Sequence, residues 1–495
     1  MPFQHVVLLT DWLVYALVVV IAVTAWYVRG KEHLRAPWRR VAHSKSGMVG
    51  LTVLLVFVAV GLIDSVHFRP RIEMAGRAAK PAYAVDVLSL LDVVCESLRA
   101  RREKTYSAPL AAFAYAKETL ELPDGGQVRD FPRLVYGGKH LKDPEKEWAA
   151  DVARRALAGV AAGAIGWFAL VALVCAWLAR KLERSIDEAW RALWAGETDV
   201  PWHAILTTCA VMLLVAGPAA VLASQYHLFG TDKVGQDVLY QALKSIRTGL
   251  VIGTLTTLVM LPFAIALGIA AGYFGGWVDD AIQYVYSTLN SIPGVLLIAA
   301  VVLMTQVYVD THPELFPTTA QRADIRLLFL CLILGVTEWT GLCRLLRGET
   351  LKLKQLEYIQ AALAFGVRDH RIMLRHILPN VMHIVLIVVV MDFSGLVLAE
   401  AVLSYVGVGV DPSMISFGTM INNARLEMAR EPMVWWSLAA AFCFMLLLVL
   451  AANLFADAVR DAFDPRTRVR PLSGERLRRL AAAAPPAARG AGAAA

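Results

Sequence analysis

Residues Glu357–Asn380 read EYIQAALAFGVRDHRIMLRHILPN, a charged stretch set between long apolar runs. Apolar side chains recur here and just before it at helical intervals, which predicts a helix with one apolar stripe: Leu353, Leu356, Ile359 and Leu363. The neighbouring face carries only small side chains, at Ala361, Ala362 and Ala364. Such a thin helix fits closely into a groove of another protein.

A bend is expected after this helix. Gly366 supplies the left-handed backbone that ends a helix, Asp369 is placed to cap the next one, and Pro379 stops it. The sequence therefore predicts two short helices joined by a bend. The arginines of the stretch are equally compatible with cytoplasmic anchors that face lipid headgroups: Arg368, Arg371 and Arg375.

The spacing is also that of a known motif. QAALAFG (360–366), then nine residues, then His376–Pro379, resembles the EAA loop of bacterial ABC importer permeases, and the form with HILPN resembles the C-type subunit of the dipeptide/oligopeptide group. In that family the loop docks in a cleft of the cytoplasmic ATPase. The resemblance implies the same role for this coupling loop, residues 350–380, through Tyr358, Gln360, Ala361, Ala362, Gly366, Asp369, His376, Leu378 and Pro379.

The loop departs from the family pattern at two positions. Gln360 stands where the motif has its Glu, and His376 stands at an Ile position. Gln keeps the length and the hydrogen bonding of Glu but loses the charge, so an ion pair with the ATPase is not implied at that point. The docking itself is still implied.

Four further segments are similar to the family and occur in its order: HLFGTDKVGQDVL (227–239), AGYFGGWVDD (271–280), LAEAVLSYVGVGV (398–410) and NLFADAVRDAFDPR (453–466). The first resembles a periplasmic motif of the family, carried here by Gly230, Thr231, Asp232, Gly235 and Asp237. Gln236 stands where Arg is usual. In Ser245–Leu250, SIRTGL replaces the family's Gly-x-Arg-x-Ser-Leu.

The composition independently indicates a polytopic membrane protein. Hydrophobic residues make up 58% of the chain, charged residues 18%, and the mean hydropathy is +0.55. Apolar runs long enough to cross a bilayer predict nine spans, at about 11–28, 48–63, 157–179, 205–224, 242–272, 281–306, 326–345, 381–405 and 435–457. Pro262 and Pro293 fall inside two of them. The first run lacks a basic n-region and a small-x-small cleavage site, so we expect an uncleaved span.

Loop charge orients these spans. Basic residues fill the short loops around 29–45 and 180–191, which predicts that both are cytoplasmic. Alternation then places the coupling loop and the basic tail in the cytoplasm and the N-terminus in the periplasm. The net charge of +7 fits basic residues beside spans, and no basic stripe with interleaved aromatics indicates nucleic acid. The expected location is the bacterial inner membrane.

The resemblance also divides the chain. Its family has about six spans, and 48–63 looks like the first of them. Residues 1–47 are then an extra span and a basic loop, 64–156 a periplasmic insertion of mixed helix and loop, and 157–226 two inserted spans. The permease core follows at 227–465 and a basic, then Ala/Pro-rich, tail at 466–495. The insertion either docks a binding protein, caps the entrance, or packs without a function of its own.

Acidic residues inside predicted spans are candidates for the transport pathway, because a charge at the bilayer centre costs about 2.5–3.5 kcal/mol on insertion scales unless it is paired or faces water. They are Glu338, Asp392 and Glu400. Asp392 lies mid-span and either lines the pathway or pairs with a neighbouring helix. Glu400 lies toward the outer end, closer to water.

No catalytic residue and no metal site is expected. The chain has no G-x-x-x-x-G-K-[ST] phosphate loop and no H-E-x-x-H or Cys-His cluster, so ATP must be bound and hydrolysed by partner chains.

We therefore expect an all-α integral membrane protein, a helical bundle of the ABC importer permease type. The resemblance implies transport of di- or oligopeptides and, as partners besides lipid, two ATPase subunits, a sister permease and a periplasmic substrate-binding protein. Nickel or another small solute is an alternative cargo within the family. A secondary transporter or a membrane scaffold is the alternative from other classes, and neither has a use for a coupling loop.

Overall fold

The computed structural model describes residues 3–72, 82–121, 127–183, 185–196, 198–316 and 318–464. Long helices dominate these ranges, and nine of the helices described there are long and apolar enough to cross a membrane, as predicted. The helices are α1 (Leu9–Arg29), α2 (Glu32–His43), α3 (Lys45–Asp64), α4 (Leu90–Val94), α5 (Glu96–Ala100), α6 (Pro144–Leu182), α7 (Ile186–Ala195), α8 (Trp202–Ala223), α9 (Val238–Phe274), α10 (Gly276–Ser291), α11 (Gly294–Thr311), α12 (Thr319–Lys354), α13 (Glu357–Ala364), α14 (Asp369–Ile372), α15 (Leu378–Val406), α16 (Phe417–Glu427) and α17 (Trp436–Phe463).

The predicted span 281–306 is wrong as a single helix. The chain forms α10 up to Ser291, passes through an extended Ile292, and starts α11 after Pro293. Proline has no N–H to donate and its ring disfavours the helical conformation of the preceding residue, so the run is divided there. Pro262, in contrast, lies inside α9 without ending it.

The most extensive helix contact joins α9 and α12. Glycines allow it: a Cβ on Gly268 would lie 2.8 Å from the carbonyl oxygen of Cys343, and one on Gly272 would lie 2.6 Å from Cβ of Thr350. A Cβ on Gly335 of α12 would likewise lie 2.7 Å from Cβ of Val259. Small residues let two backbones approach closely, which is how apolar helices gain packing energy in lipid.

The helices α6 and α8 form a second tight pair, which contacts the rest of the bundle through α3. A Cβ on Gly159 would lie 2.4 Å from Cα of Pro218, and one on Gly163 would lie 2.4 Å from the carbonyl oxygen of Leu213. Trp167 Nε1 also donates to the carbonyl oxygen of Leu206 at 2.9 Å. Helix α6 begins at Pro144, thirteen residues before the predicted span, so it extends well beyond the apolar run.

The region predicted as helix and loop between 64 and 143 contains strands, which the sequence analysis missed. In a four-stranded sheet β2 (His67–Ile72) pairs antiparallel with β1 (Phe3–Val6), β3 (Ala82–Tyr83) and β4 (Leu88–Ser89), and β5 (Glu118–Glu121) pairs with β6 (Gln127–Asp130). Because β1 precedes α1, the start of the described chain lies against this region. Five of the six strands have two to four residues, too few to show the alternation that identifies a strand, and the longer β2 contains Pro70, which argues against a strand.

The two ends of the bundle carry different structures. At one end lie this strand-containing region and the starts of α9, α12 and α17. At the other end, Arg40 of α2 donates to the carbonyl oxygen of Ala462 at 3.1 Å, and Trp38 packs near Leu386 of α15. The basic loop around 29–45 thus shares an end with the coupling loop. This arrangement fits the predicted topology, although the side on which each end lies stays a prediction.

We predict that Gly159→Leu separates α6 from α8. The new side chain would collide with the backbone at Pro218, and overpacking of this kind costs about 1–3 kcal/mol. Heat stability of the detergent-solubilised protein, followed by fluorescence-detected size exclusion, should fall. The control is Gly166→Leu on the same helix, whose Cβ would have nothing within 4 Å. Equal melting temperatures of Gly159→Leu and Gly166→Leu would contradict the packing described.

Candidate functional site

The coupling loop begins with a helix that ends as predicted. Gly366 has φ +70°, and the amides of Gly366 and Val367 donate to the carbonyl oxygens of Leu363 and Ala362 at 3.0 and 3.1 Å. These bonds close the C-terminus of α13 in the pattern typical of a left-handed glycine. The chain then turns back and begins α14 at Asp369.

Three isoleucines anchor the loop in the core of the bundle. Ile359, Ile372 and Ile377 are fully buried in one cluster with side chains of α9, α12 and α15. Tyr273, at the end of α9, donates its hydroxyl to Asp369 Oδ1 at 2.7 Å. The loop therefore packs against three spans at once.

The expected cap at Asp369 is wrong. Asp369 is the first residue of α14, Arg368 occupies the cap position without a side-chain bond, and the Asp369 carboxylate accepts from Tyr273 instead. The carboxylate of Asp369 thus makes a tertiary contact with α9 and does not cap α14. The sequence analysis considered only local partners and could not foresee it.

The expected stop at Pro379 is also wrong. A π-helical turn, Met373–Ile377, joins α14 to α15, so the helix continues through the proline to Val406. Leu378 N–H donates to the carbonyl oxygen of Met373, five residues back, and the side-chain amide of Asn380 donates to the carbonyl oxygen of His376 at 2.6 Å. The wider turn makes room for a proline that would otherwise disrupt an α-helix.

The outer face of the loop is open to a partner. Gln360, Ala361 and Tyr358 are exposed, and Gln360 Nε2 donates to the carbonyl oxygen of Lys354 at 2.7 Å. Phe365, at the tip, is 86% exposed. The sequence analysis did not single it out, although an aromatic residue beside a left-handed glycine is the signal that could have found it.

The other motif residues of the loop contact the exposed residues of this face or pack beneath them. Asn380 Nδ2 donates to the hydroxyl of Tyr358 at 3.1 Å, and the ring of His376 lies 6.2 Å from that of Tyr358. Ala362 and Leu378 are half-buried and pack against the isoleucine cluster. Of the predicted apolar stripe, Leu353 and Leu363 also pack there, whereas Leu356 is exposed.

The segment His227–Asp237, here called the junction loop, joins the strand-containing region to α9. Asp237 caps α9 by accepting from the amides of Leu239 and Tyr240. Thr231 Oγ1 donates to the carbonyl oxygen of Thr105 at 2.9 Å and accepts from the amide of Ser107 at 2.7 Å.

The other motif residues shape the turn. Gly230 and Gly235 have φ of +68° and +72°, and a Cβ on Gly235 would lie 1.8 Å from the carbonyl oxygen of Glu103. Asp232 accepts from the amide of Gln236 at 2.8 Å and from Gln241 Nε2 at 2.7 Å. The contacts of the motif residues therefore hold the junction loop together.

A buried ionic cluster lies inside the junction loop. His227 Nδ1 is 2.8 Å from Asp237 Oδ2, and its Nε2 is 3.4 Å from Glu103 Oε1. Burial opposes the charged imidazole, but the bonds and charges of Asp237 and Glu103 outweigh it and raise the pKa of His227 to about 9. Burial likewise opposes the charge of Glu103, but His227 and the amides of Val135, Tyr136 and Gly137 lower the pKa of Glu103 to about 2.

The pathway candidates separate into two groups. Glu400 was expected near water, but it is 1% exposed and accepts from Ser404 Oγ and Ser416 Oγ at 2.7 and 2.8 Å. It fixes α16 against α15, so this candidate is buried inside the described bundle, and its place on a pathway stays a prediction. Asp392 is half-buried in α15, and Glu338 is exposed on α12.

A further buried cluster was missed by the sequence analysis. Arg247 of α9 donates to Asp11 Oδ1 at 2.6 Å and to Thr10 Oγ1 at 3.0 Å, and Asp11 also contacts His67 Nδ1 at 2.8 Å. Asp324 of α12 accepts from the amide of Thr10 at 3.1 Å. Arg247 lies inside a predicted span, so the rule that selected the acidic candidates would have found it. The cluster attaches α1 to α9 and α12.

Comparison with known proteins identifies the family of this bundle. Residues 264–469 match the family described as binding-protein-dependent transport system inner membrane component. The chain is 34% identical over 242 residues to the oligopeptide transport system permease protein OppC of Mycobacterium tuberculosis, covering 49% of this chain and 77% of that one. It is 33% identical over 247 residues to the glutathione transport system permease protein GsiD of Pectobacterium atrosepticum, covering 50% and 74%.

A third relative is the dipeptide transport system permease protein DppC of Bacillus subtilis, 26% identical over 295 residues, which cover 57% of this chain and 86% of that one. Among solved structures, inward-facing conformations of the MetNI methionine ABC transporter align with a TM-score of 0.34 and 16% identity, covering 46% of this chain and 96% of that one. On the sequence matches, the chain belongs to the binding-protein-dependent transport permeases. It is a multi-pass component of the inner membrane.

We predict that Gly366→Val destabilises the coupling loop by about 1–2 kcal/mol relative to Gly366→Asn. A Cβ at this position would meet nothing within 4 Å, so the difference isolates the left-handed backbone, which Asn adopts more readily than Val. Limited proteolysis of the loop at increasing temperature measures it. Equal protease sensitivity of the two variants would argue against the described turn.

We predict that the protein loses stability between pH 6.5 and 9. The pKa of His227 is raised from 6.5 to about 9, so its contribution is complete below 6.5 and is lost as the pH rises through 9. The contribution is on the order of 3 kcal/mol. Glu103 does not titrate in this window. The melting temperature of the purified protein, measured at pH 6.5 and 9, should vary less in His227→Gln than in the wild type.

The control for this experiment is His370→Gln, which removes an exposed imidazole from the coupling loop. It should preserve the wild-type difference between the two pH values. A His227→Gln protein with the full wild-type pH dependence would refute the role of the cluster.

Proposed function

We propose that this chain is one of two permease subunits of an ATP-driven importer for di- or oligopeptides. Its relatives include proteins named as oligopeptide and dipeptide permeases, and glutathione, the cargo in a third name, is itself a small peptide. ATP is bound and hydrolysed by two partner ATPase subunits, and a periplasmic binding protein delivers the peptide. The sister permease supplies the other half of the pathway.

The observation that carries the proposal is the construction of the coupling loop. Its tip exposes Phe365 and the thin face of α13, while Ile359, Ile372 and Ile377 bury its base among three spans. A rigid base with an accessible tip transmits force in both directions. Closure of the ATPase subunits would move the tip, and the buried base would tilt α9, α12 and α15 between outward and inward access.

The proposal also assigns each end of the bundle to one side of the membrane. The coupling loop, the basic loop around 29–45 and the end of α17 lie in the cytoplasm, and the junction loop with the strand-containing region lies in the periplasm. The N-terminus is periplasmic in this arrangement and the C-terminal tail cytoplasmic. The basic residues beside the spans favour this orientation over its reverse.

The proposal is tested by isolating the complex. The chain, purified in mild detergent from its native membrane, should carry two ATPase subunits and a second permease, identified by mass spectrometry. Vesicles that contain the complex and the binding protein should take up radiolabelled trialanine when ATP is supplied to the ATPase side. A folded chain that is recovered alone would favour a scaffold or a secondary transporter.

We predict that Phe365→Ala weakens the association with the ATPase while leaving the melting temperature unchanged. An aromatic anchor that is buried in an interface contributes about 2 kcal/mol or more, equivalent to a loss of affinity of at least about thirtyfold. Titration of purified ATPase against the permease in nanodiscs measures it. Trp277→Ala, which removes another aromatic residue that is 80% exposed, should have a smaller effect. Equal losses would place the docking surface elsewhere.

A further inference from the structure

A cavity of about 460 Å³ lies between the strand-containing region and the starts of α9 and α12. Its rim is open to solvent, because it is formed in part by the exposed residues Asp86, Arg102 and Ser413. Its floor is buried and charged: Arg247 and Asp324 are only 5% and 3% exposed. Pockets that bind small ligands commonly have volumes of roughly 300–1,000 Å³. This cavity therefore has the size and the access that a small polar ligand needs.

The floor carries more negative than positive charge. Four buried carboxylates and two basic side chains form the floor or lie directly behind it: Asp11, Asp64, Asp92, Asp324, Lys244 and Arg247. Each basic side chain pairs with a carboxylate, so two negative charges are left over, and a protonated His67 would offset only one of them. Buried charges of this kind are balanced by a proton or by a cation. A cationic group of a ligand can take the place of the proton.

Asp324 is the carboxylate that is available to such a group. Its described bonds come from Thr10, whose amide donates to Oδ2 at 3.1 Å and whose hydroxyl donates to Oδ1. Asp64, in contrast, already lies 3.5 Å from Lys244. A carboxylate accepts about four hydrogen bonds and an ammonium group offers three donors, so Asp324 has unused capacity for an ammonium group.

The rim carries the opposite charge. Arg99 of α5 is half-buried, Arg102 is exposed just after that helix, and both line the cavity. Within the ranges that the structure describes, the guanidinium of neither has a hydrogen bond or an ion pair. Guanidinium groups bind carboxylates through paired, charge-assisted hydrogen bonds. The rim thus offers a site for a carboxylate of the ligand.

Helix α9 sets the distance between the two charged ends. Leu98 of α5 packs in one cluster with Tyr240, and Thr10, which holds Asp324, accepts from Arg247 at 3.0 Å. Tyr240 and Arg247 both line the cavity, and Arg247 follows Tyr240 by seven residues, a rise of about 10 Å in an α-helix. Three residues of extended chain span at most about 10–11 Å. The cavity therefore matches a tripeptide in length.

We propose that this cavity binds a short peptide at the entrance to the translocation pathway, with its ammonium group at Asp324 and its carboxylate at Arg99 and Arg102. The identity of the ligand rests on the proposed function. The peptide enters with its amino terminus first, because the available acid lies in the floor and the basic residues lie at the rim. Residues 85–88 of the strand-containing region line the cavity, so the insertion gains a function of its own.

The test measures peptide binding to the full-length chain, purified in detergent with the subunits that accompany it and washed free of the binding protein. Radiolabelled trialanine is displaced by unlabelled trialanine, by N-acetyl-trialanine, which lacks the ammonium group, or by trialanine amide, which lacks the carboxylate. Each analogue loses one set of charge-assisted contacts, so each should bind at least about tenfold more weakly than trialanine.

Two variants assign the ends of the peptide. Asp324→Asn should abolish the preference for trialanine over its acetylated form and keep the preference over the amide. Arg99→Gln combined with Arg102→Gln should do the reverse. The matched control is Arg101→Gln, because Arg101 is not among the residues that line the cavity and donates instead to the carbonyl oxygen of Ala223 at 3.2 Å. This control should keep both preferences.

A structural effect alone would weaken the binding of all three ligands alike, and that result in both variants would overturn the inference. Wild-type protein that binds the three ligands equally, or binds none of them, would overturn it as well. If Asp324→Asn fails to fold, as judged by size exclusion, the arginine variant decides, since its two side chains make no bond within the described chain. Binding needs no transport. Uptake of trialanine without binding in the cavity would therefore refute only this inference, and binding without uptake would count against the proposed function alone.

Discussion

The close contact of α9 with α12 is the interaction on which the other parts depend. Three glycines, Gly268, Gly272 and Gly335, present no side chain of their own at the crossing points, so the backbone or the first side-chain atoms of the other helix approach closely. The paired helices then hold Arg247 and Asp324 in place at one end and the isoleucines of the coupling loop at the other. In lipid, where apolar burial provides no driving force between helices, such packing has to hold the bundle together.

Most of the membrane-spanning architecture could be predicted because one physical constraint determines it. A helix that crosses a bilayer needs about 20 apolar residues, and such runs are unmistakable in a sequence. Pro293 was recognised inside the span 281–306, but the span was predicted as one helix because the hydropathy on both sides of the proline is high. The strands β1 to β6 were missed for a different reason, since most of them are too short to leave a periodic signal and β2 contains Pro70.

The candidate site was predictable only where its geometry is local. The turn at Gly366 depends only on the glycine and its neighbours in the sequence, and it was predicted correctly. The cap predicted at Asp369 was wrong because its partner, Tyr273, lies far away in the sequence. The burial of Glu400 was not foreseen because Ser416 lies beyond a turn whose path was not known. The same holds for Arg247, whose partner Asp11 lies 236 residues away. Tertiary partners of polar residues cannot be deduced from spacing along the chain.

The π-helical turn at Met373–Ile377 sets how far the side chains after the turn are rotated about the helix axis relative to those before it. One residue corresponds to about 100° of rotation in an α-helix, so a turn that is one residue wider redirects everything that follows it. Ile372, before the turn, is buried in the core at the coupling loop, and Asp392, after it, is half-buried on α15. The turn thus acts as a fixed angular offset, and it decides which side chains of α15 face the core and which lie on the surface of the bundle.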